Sequence, residues 1–409
     1  MIGERKLKEK LMIVSLGLLP LIMVLGNSML IPLLPSIQKS LHLSGVQTSL
    51  ILSAFSIPAA LCIPAVGILS DRYGRKKLII YSLVMMIIGS VIAASSASFS
   101  SGSFAVLMAG RVIQGIGAAG TTTLAMALTG DVFTGEKRAK VLGILEVYNG
   151  VGKVVAPIIG ASVALAVWYA AFFVYPLAAG AALVGIVLYV REGKTGSDSV
   201  SVQEYLKRAN GIVYNKRKSL FPLFFVGGLG LFLLFGILYY LSFLIEETYH
   251  IDGFFKGTAF LFPLGAMTLV SYWTGQRIKT DVEFMKKLMI VGITLLFLMF
   301  GVLTIIYTLP VLMFCLTVAF GGLGFVLPCI NMMITSAASD EERGFIVSIY
   351  GTVRFLGVAL GPVVFEVWMH AERLMFVYSF ILLTAGGLWV LYQLKILPCA
   401  MGRKKVVPK

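Results

Sequence analysis

The chain has 409 residues, of which 58% are hydrophobic and only 13% are charged, and its formal net charge is +15. Its mean hydropathy is +0.93. A soluble domain of this length needs far more charge to cover its surface, so the composition excludes an ordinary soluble globular protein.

Twelve apolar stretches follow one another along the chain, each close to the roughly 20 residues that a helix needs to cross a bilayer. They span residues 12–35, 46–69, 78–97, 104–130, 139–167, 168–190, 220–245, 255–275, 288–308, 310–338, 344–369 and 374–395. We therefore expect an all-α integral membrane protein with twelve transmembrane helices.

The positive charges lie almost entirely on one side of this arrangement. Basic clusters fall at 5–10, 72–77, 191–219 and 395–409, whereas the loops of the other side carry only Lys39, Lys256 and Arg373. By the positive-inside rule, both termini are expected in the cytoplasm of a multi-pass cell-membrane protein. The same asymmetry accounts for the basic charge without a nucleic-acid partner.

An internal repeat divides the chain. Residues 136–160 and 341–365 align at one constant offset, which pairs Gly152 with Gly357 and Pro157 with Pro362. The repeat predicts two six-helix pseudo-repeats, a common design of alternating-access carriers. The expected units are an N-terminal bundle over 1–190, a cytoplasmic linker over 191–219 with an interfacial helix around 202–214, and a C-terminal bundle over 220–409.

The loop after the second span reads GILSDRYGRKK, residues 67–77. Gly67 and Gly74 permit close packing and a tight turn. Asp71 can accept hydrogen bonds or face a helix N-terminus of the opposite half. The alternative is a plain stop-transfer loop.

The fourth span contains GRVIQGIGAAG, residues 110–120, whose glycines form a smooth face for close helix packing. Arg111 interrupts this apolar run. A charge there costs about 2.5–3.5 kcal/mol on insertion scales, so it should face a cavity or a partner. Snorkelling to the nearby helix end is the alternative.

The fifth and eleventh spans combine glycine with proline, a pattern typical of helices that bend and pack closely. Ordinary small-residue packing is the alternative interpretation. The residues concerned are Gly152, Ala156, Pro157, Gly160, Gly357, Gly361 and Pro362.

These motifs resemble signatures of the major facilitator superfamily. The 67–77 loop resembles its signature between the second and third helices, 110–120 that of its proton-driven members, and 152–161 that of its drug:proton antiporters. The resemblance implies twelve helices and a conformational latch, and it implies that Arg111 helps to couple protons. The latch residues would be Gly67, Asp71, Arg72, Gly74 and Arg75.

Three polar residues form a stripe along one face of the fifth span. Glu146, Asn149 and Lys153 are spaced about one turn apart. We hypothesise that Glu146 carries the proton and that Lys153 takes part in coupling, against the alternative of a static Glu146–Lys153 pair. Glu366 lies near the outer end of its helix, where it can reach water.

Candidate substrate contacts are Asn27, Asn149, Tyr239, Asn331 and Arg354. Interhelical hydrogen bonds are the alternative for the asparagines, and ordinary packing for the tyrosine. The buried cations outnumber Glu146, so an anionic or neutral amphipath is the expected substrate.

The leading hypothesis is proton-coupled efflux of small amphipathic compounds by a monomer in the lipid bilayer, as a drug or multidrug exporter. Alternatives are a dedicated exporter of an anionic metabolite such as a siderophore, a proton-coupled nutrient symporter and a non-transporting receptor. An enzyme is not expected, since no nucleophile, base and orienting group cluster in any extramembrane segment. Scattered cysteines and loop histidines predict no metal or other cofactor.

Overall fold

The computed structural model describes residues 2–98, 103–190, 202–278, 282–336 and 340–396, without the side chains of 2–6, 71, 135–136, 139, 202–219, 340–345 and 394–396. Every regular element in these ranges is helical. The basic tail, the 191–201 part of the linker and the side chain of Asp71 lie outside this description.

In the part of the first half that the structure describes, there are eight α-helices. They are α1 (Ile2–Ser28), α2 (Leu34–Leu41), α3 (Gly45–Tyr73), α4 (Arg75–Ser95), α5 (Ser103–Ala118), α6 (Thr122–Val132), α7 (Gly135–Ala164) and α8 (Ala171–Tyr189).

The described residues of the second half form seven more. They are α9 (Val202–Phe243), α10 (Gly253–Ala259), α11 (Leu261–Arg277), α12 (Val282–Leu303), α13 (Leu309–Ser336), α14 (Asp340–Trp368) and α15 (Glu372–Ile396). A π-helical turn, Leu244–Thr248, extends α9.

Eleven helical stretches in the described part of the chain are long and apolar enough to cross a membrane. The last of them, Ile346–Gln393, contains both α14 and α15, which a short 3-10 turn joins. Counting these two helices separately gives twelve crossings, which confirms the predicted all-α fold. The predicted division between the spans 139–167 and 168–190 is also confirmed, since α7 ends at Ala164 and α8 begins at Ala171.

Three predicted spans are interrupted, which the hydropathy pattern does not show. The first ends as α-helix at Ser28, the fourth breaks between Ala118 and Thr122, and the eighth breaks at Phe260. In the fourth, Gly120 donates to the carbonyl of Gly117, a tighter turn than an α-helix makes. Glycine has weak helix propensity, which favours such a break.

The predicted interfacial helix around 202–214 is not a separate element. Val202 begins a single helix that continues without a break to Phe243. Pro222 lies inside it, yet the helix is uninterrupted.

The two halves meet through related pairs of helices. α3 packs against α14, and α7 packs against α10 and α11. Within the halves, α7 packs on α1 and α14 packs on α9. Helices that correspond in the sequence repeat therefore have corresponding neighbours in space.

Among the residues that the structure describes, one buried apolar cluster is continuous across the halves, and it lies at one end. One cluster joins residues of both halves, including Leu30, Phe172, Tyr239 and Phe376. Its end carries Lys39, Lys256 and Arg373, and we call it the outer end after the charge pattern. At the opposite end the buried apolar residues form two clusters, one in each half.

Candidate functional site

Arg111 on α5 is fully buried and its guanidinium group is hydrogen-bonded to three helices. Its Nη2 donates to Oδ1 of Asn27 on α1 at 2.5 Å, and its Nη1 donates to Oε1 of Gln114 at 2.7 Å. Its Nε donates to the carbonyl of Ile51 on α3 at 3.1 Å. The ring of Phe55 lies 4.6 Å from the guanidinium carbon. Snorkelling is therefore the wrong alternative, since 0% of Arg111 is exposed.

The partners of Arg111 are themselves bonded to neighbouring helices. Asn27 Nδ2 donates to Ser56 Oγ at 2.6 Å, and Gln114 Nε2 donates to Ser90 Oγ at 2.6 Å. A satisfied buried network of this kind fixes the helices that it joins. Both side-chain polar atoms of Asn27 are engaged between helices in this conformation.

The polar residues along one face of α7 are not fully enclosed by protein. Glu146 is exposed, while Asn149 and Lys153 are partly buried. Among the described side chains, no ion pair within 4.0 Å joins Glu146 to Lys153. Lys153 nevertheless interacts electrostatically with both Arg354 and Glu146.

Arg354 on α14 brings a second cation to this region from the other half. It is partly buried, and its guanidinium carbon lies 5.6 Å from the ring centre of Tyr350. Its Nε is buried without a hydrogen-bond partner in the structure. Asn331 on α13 is also partly buried. Lys153 and Arg354 thus place two positive charges on opposite halves.

Tyr239 and Glu366 meet at the outer end. The Tyr239 hydroxyl donates to Oε2 of Glu366 at 2.6 Å, and both residues are buried. The carboxylate occupies the space in front of Gly45, where a Cβ would collide with it. The expectation that Glu366 reaches water is wrong, because the first half covers it. Tyr239 belongs to this closed end in the conformation described.

A second buried cluster of charged side chains lies at the outer end, and the sequence pattern did not predict it. Glu246, in the π-helical turn after α9, accepts hydrogen bonds from Lys39 and Lys256 at 2.9 and 2.7 Å. Lys256, assigned to a loop by the charge pattern, is a fully buried residue of α10. The Glu-Glu pair at 246–247, which directly follows an apolar run, was the available signal.

The glycine–proline motifs lie at close helix contacts. A Cβ on Gly160 would collide with the Met29 carbonyl beside α1, and one on Gly361 would collide with the Phe232 carbonyl of α9. A Cβ on Gly357 would likewise collide with the Gly228 carbonyl of α9, whereas one on Gly152 would make only ordinary contact with α1. Ala156, Pro157 and Pro362 are buried, and α7 and α14 continue through their prolines. Whether these motifs also bend during function stays a prediction.

The 67–77 segment, predicted as a loop, is helical on both sides of Gly74, because α3 ends at Tyr73 and α4 begins at Arg75. The chain turns at Gly74, whose φ of 97° is unfavourable for other residues. Arg75 Nη1 lies 2.9 Å from Oδ2 of Asp131, at the end of α6. Gly67 faces Ser348 of α14, and Arg72 is exposed. The motif thus contacts both its own half and the opposite half.

No group of three or more His, Cys, Asp or Glu side chains that could hold a metal ion occurs among the residues that the structure describes. The candidate site is accordingly a set of charged and amide side chains between helices.

Comparisons with known proteins agree with this architecture. The Major Facilitator Superfamily model matches residues 16–362. The chain is 37% identical over 370 residues to the bacillibactin exporter of Bacillus subtilis, covering 90% of this chain and 92% of that protein. It is 24% identical to multidrug resistance protein 2 of the same organism, covering 91% and 92% of the two chains. The human organic anion transporter MFSD10 shares its fold, with a TM-score of 0.70, 22% identity and coverage of 93% of this chain and 99% of that one.

Proposed function

We propose that this chain, which belongs to the major facilitator superfamily, exports a small anionic organic compound from the cell in exchange for protons. The observation that carries the proposal is a set of two partly buried cations, Lys153 on α7 of the first half and Arg354 on α14 of the second, whose Nε has no hydrogen-bond partner in the described structure. Neither forms an ion pair within 4.0 Å among the described side chains. A carrier needs its substrate site where its halves meet.

Electrostatics favours an anion at this place. Two like charges in a poorly solvated region repel each other, and the repulsion grows as the local dielectric constant falls. An anionic group between Lys153 and Arg354 compensates both charges, and it can supply an acceptor for the buried Arg354 Nε. Glu146, which is exposed, is too far from Lys153 to form a direct ion pair.

The relatives support export as the direction and a siderophore as the type of substrate. The similarity to the bacillibactin exporter extends over nearly the whole length of both proteins. A siderophore with acidic groups would match the cations of the site. We therefore place a dedicated metabolite exporter ahead of the multidrug pump.

Glu146 is the proposed proton carrier. Its side chain is not enclosed by protein in the described conformation, and we place it in the water-filled cavity between the halves, where it can exchange a proton. An anion at Lys153 and a proton at Glu146 would each change the net charge of one small region. Antiport follows if proton binding favours one orientation of the carrier and substrate binding favours the other.

Multidrug efflux is the second candidate, supported by the full-length similarity to multidrug resistance protein 2. A deletion strain separates the two functions. A metabolite exporter predicts that an acidic iron-chelating compound disappears from the medium and that drug sensitivity is unchanged. Sensitivity to several unrelated drugs with unchanged secretion would favour the multidrug pump.

A further inference from the structure

The seam between the halves at the outer end contains one carboxylate shared by two lysines. Oε1 of Glu246 lies 2.9 Å from Nζ of Lys39 on α2, in the first half. Oε2 of the same carboxylate lies 2.7 Å from Nζ of Lys256 on α10, in the second half. Lys256 Nζ also donates to the carbonyl of Pro32 at 2.6 Å. Glu246 and Lys256 therefore each hold one contact across the seam.

The two ion pairs of Glu246 differ in burial: the pair with Lys256 is enclosed by protein, whereas the pair with Lys39 is open to solvent. Lys256 is 0% exposed and Glu246 is 9% exposed, whereas the side chain of Lys39 is 62% exposed. A buried ammonium group needs a counter-ion, and Glu246 supplies one from the same half. Lys39 reaches the cluster from water, so its contact can break and its charge can be hydrated at small cost.

Further hydrogen bonds cross the seam, both at the level of Glu246 and about two helical turns deeper, at Ser53. Ser242 Oγ donates to the carbonyl of Ile31 at 2.8 Å, and the Tyr239 hydroxyl lies 3.3 Å from the carbonyl of Gly45. Ser53 Oγ donates to the carbonyl of Ala359, joining α3 to α14 at 2.6 Å. The seam is thus held by side chains that reach backbone carbonyls of the other half.

The π-helical turn presents Glu246 to both lysines. Leu244–Thr248 has a wider turn than the α-helix before it, and such turns are frequent at functional positions. The turn directs one carboxylate oxygen to Lys39 of the first half and the other to Lys256 of the second.

We propose that Lys39, Glu246 and Lys256 form an outer latch that sets the equilibrium between the closed and open outer end. When the halves separate, Lys39 and the Pro32 carbonyl leave while Glu246 and Lys256 stay paired. None of these three charges is then left buried without a partner, so their separation avoids the large cost of an unpaired buried ion. Lys39 is the positioning residue that adjusts the equilibrium, and it does so without touching the substrate site.

Labelling of a cysteine buried in the seam tests this latch. The native cysteines at 62, 315, 329 and 399 are replaced, Ser53→Cys is introduced, and the rate of maleimide labelling is measured on purified protein without substrate. Ser53 is buried in the closed seam, so labelling reports opening. Lys39→Gln should raise the rate roughly two- to fivefold, the equivalent of one exposed ion pair.

Two further variants make the result decisive. Lys39→Glu, which places two carboxylates face to face, should raise the rate above that of Lys39→Gln. Arg373→Gln, at an exposed cation of the same end, should label at the parent rate. Parent-like labelling of both Lys39 variants would overturn the latch. Because substrate is absent from the measurement, that result would leave the proposed export activity unaffected.

Discussion

Arg111 and Asn27 form a buried hydrogen bond of 2.5 Å that joins α5 to α1. Neither residue has more than 4% of its surface exposed. The charge of Arg111 is thereby accommodated without a carboxylate partner in the hydrogen bonds described, through amide and carbonyl oxygens of three helices. Its geometry, more than its charge, holds these helices together.

Arg111→Lys should destabilise the protein although it keeps the charge. The planar guanidinium group of arginine donates to separate acceptors on Asn27, Gln114 and Ile51. The single ammonium group of lysine cannot reach all three, so at least one buried acceptor loses its donor. An unsatisfied buried group costs about 1–3 kcal/mol. A lower Tm in detergent and reduced transport are expected. Arg373→Lys, at an exposed position, should leave both unchanged, and an unaltered Tm for Arg111→Lys would refute the structural role.

Glu146→Gln should abolish proton-driven accumulation while substrate binding is retained. Glutamine keeps the size and hydrogen-bonding capacity of the side chain but cannot exchange a proton. Proton-driven uptake and equilibrium binding are measured on the same reconstituted protein. Uphill transport by the variant would reject Glu146 as the proton carrier.

Arg354→Gln should weaken binding of an anionic substrate. A hydrogen bond to a charged group contributes about 1.5–3 kcal/mol, which corresponds to roughly a 10- to 150-fold change in Kd. Titration with bacillibactin as the probe measures the effect, and a neutral drug serves as the comparison ligand. If both ligands lose affinity equally, the cation has no role in choosing anions.

Gly160→Val should disturb the contact between α7 and α1. A side chain there meets the Met29 carbonyl, which belongs to backbone and cannot turn aside. Overpacking of this kind costs about 1–3 kcal/mol. Gly180→Val is the matched control, because its Cβ would have no neighbour within 4 Å. Equal Tm values for the two variants would show that close packing at Gly160 is unimportant.

The number of helices was predictable because apolar length alone identifies a membrane span. The break near Gly120 was not, since hydropathy averages over the residues where a helix tightens. The pattern also predicted that Arg111 needs partners but could not name Asn27 or Ile51, which are distant in sequence. Lys256 was assigned to a loop because its charge was counted by position along the chain. Its burial follows from contact with the other half, which no local pattern records.

The central claim is tested most directly with inside-out vesicles that contain the purified chain and are acidified inside. Proton-coupled export predicts that bacillibactin added outside accumulates in these vesicles against its gradient, and that collapse of the pH gradient stops the accumulation. The Glu146→Gln protein should only equilibrate the compound. Accumulation that requires the opposite pH gradient would contradict export by antiport and establish uptake by symport.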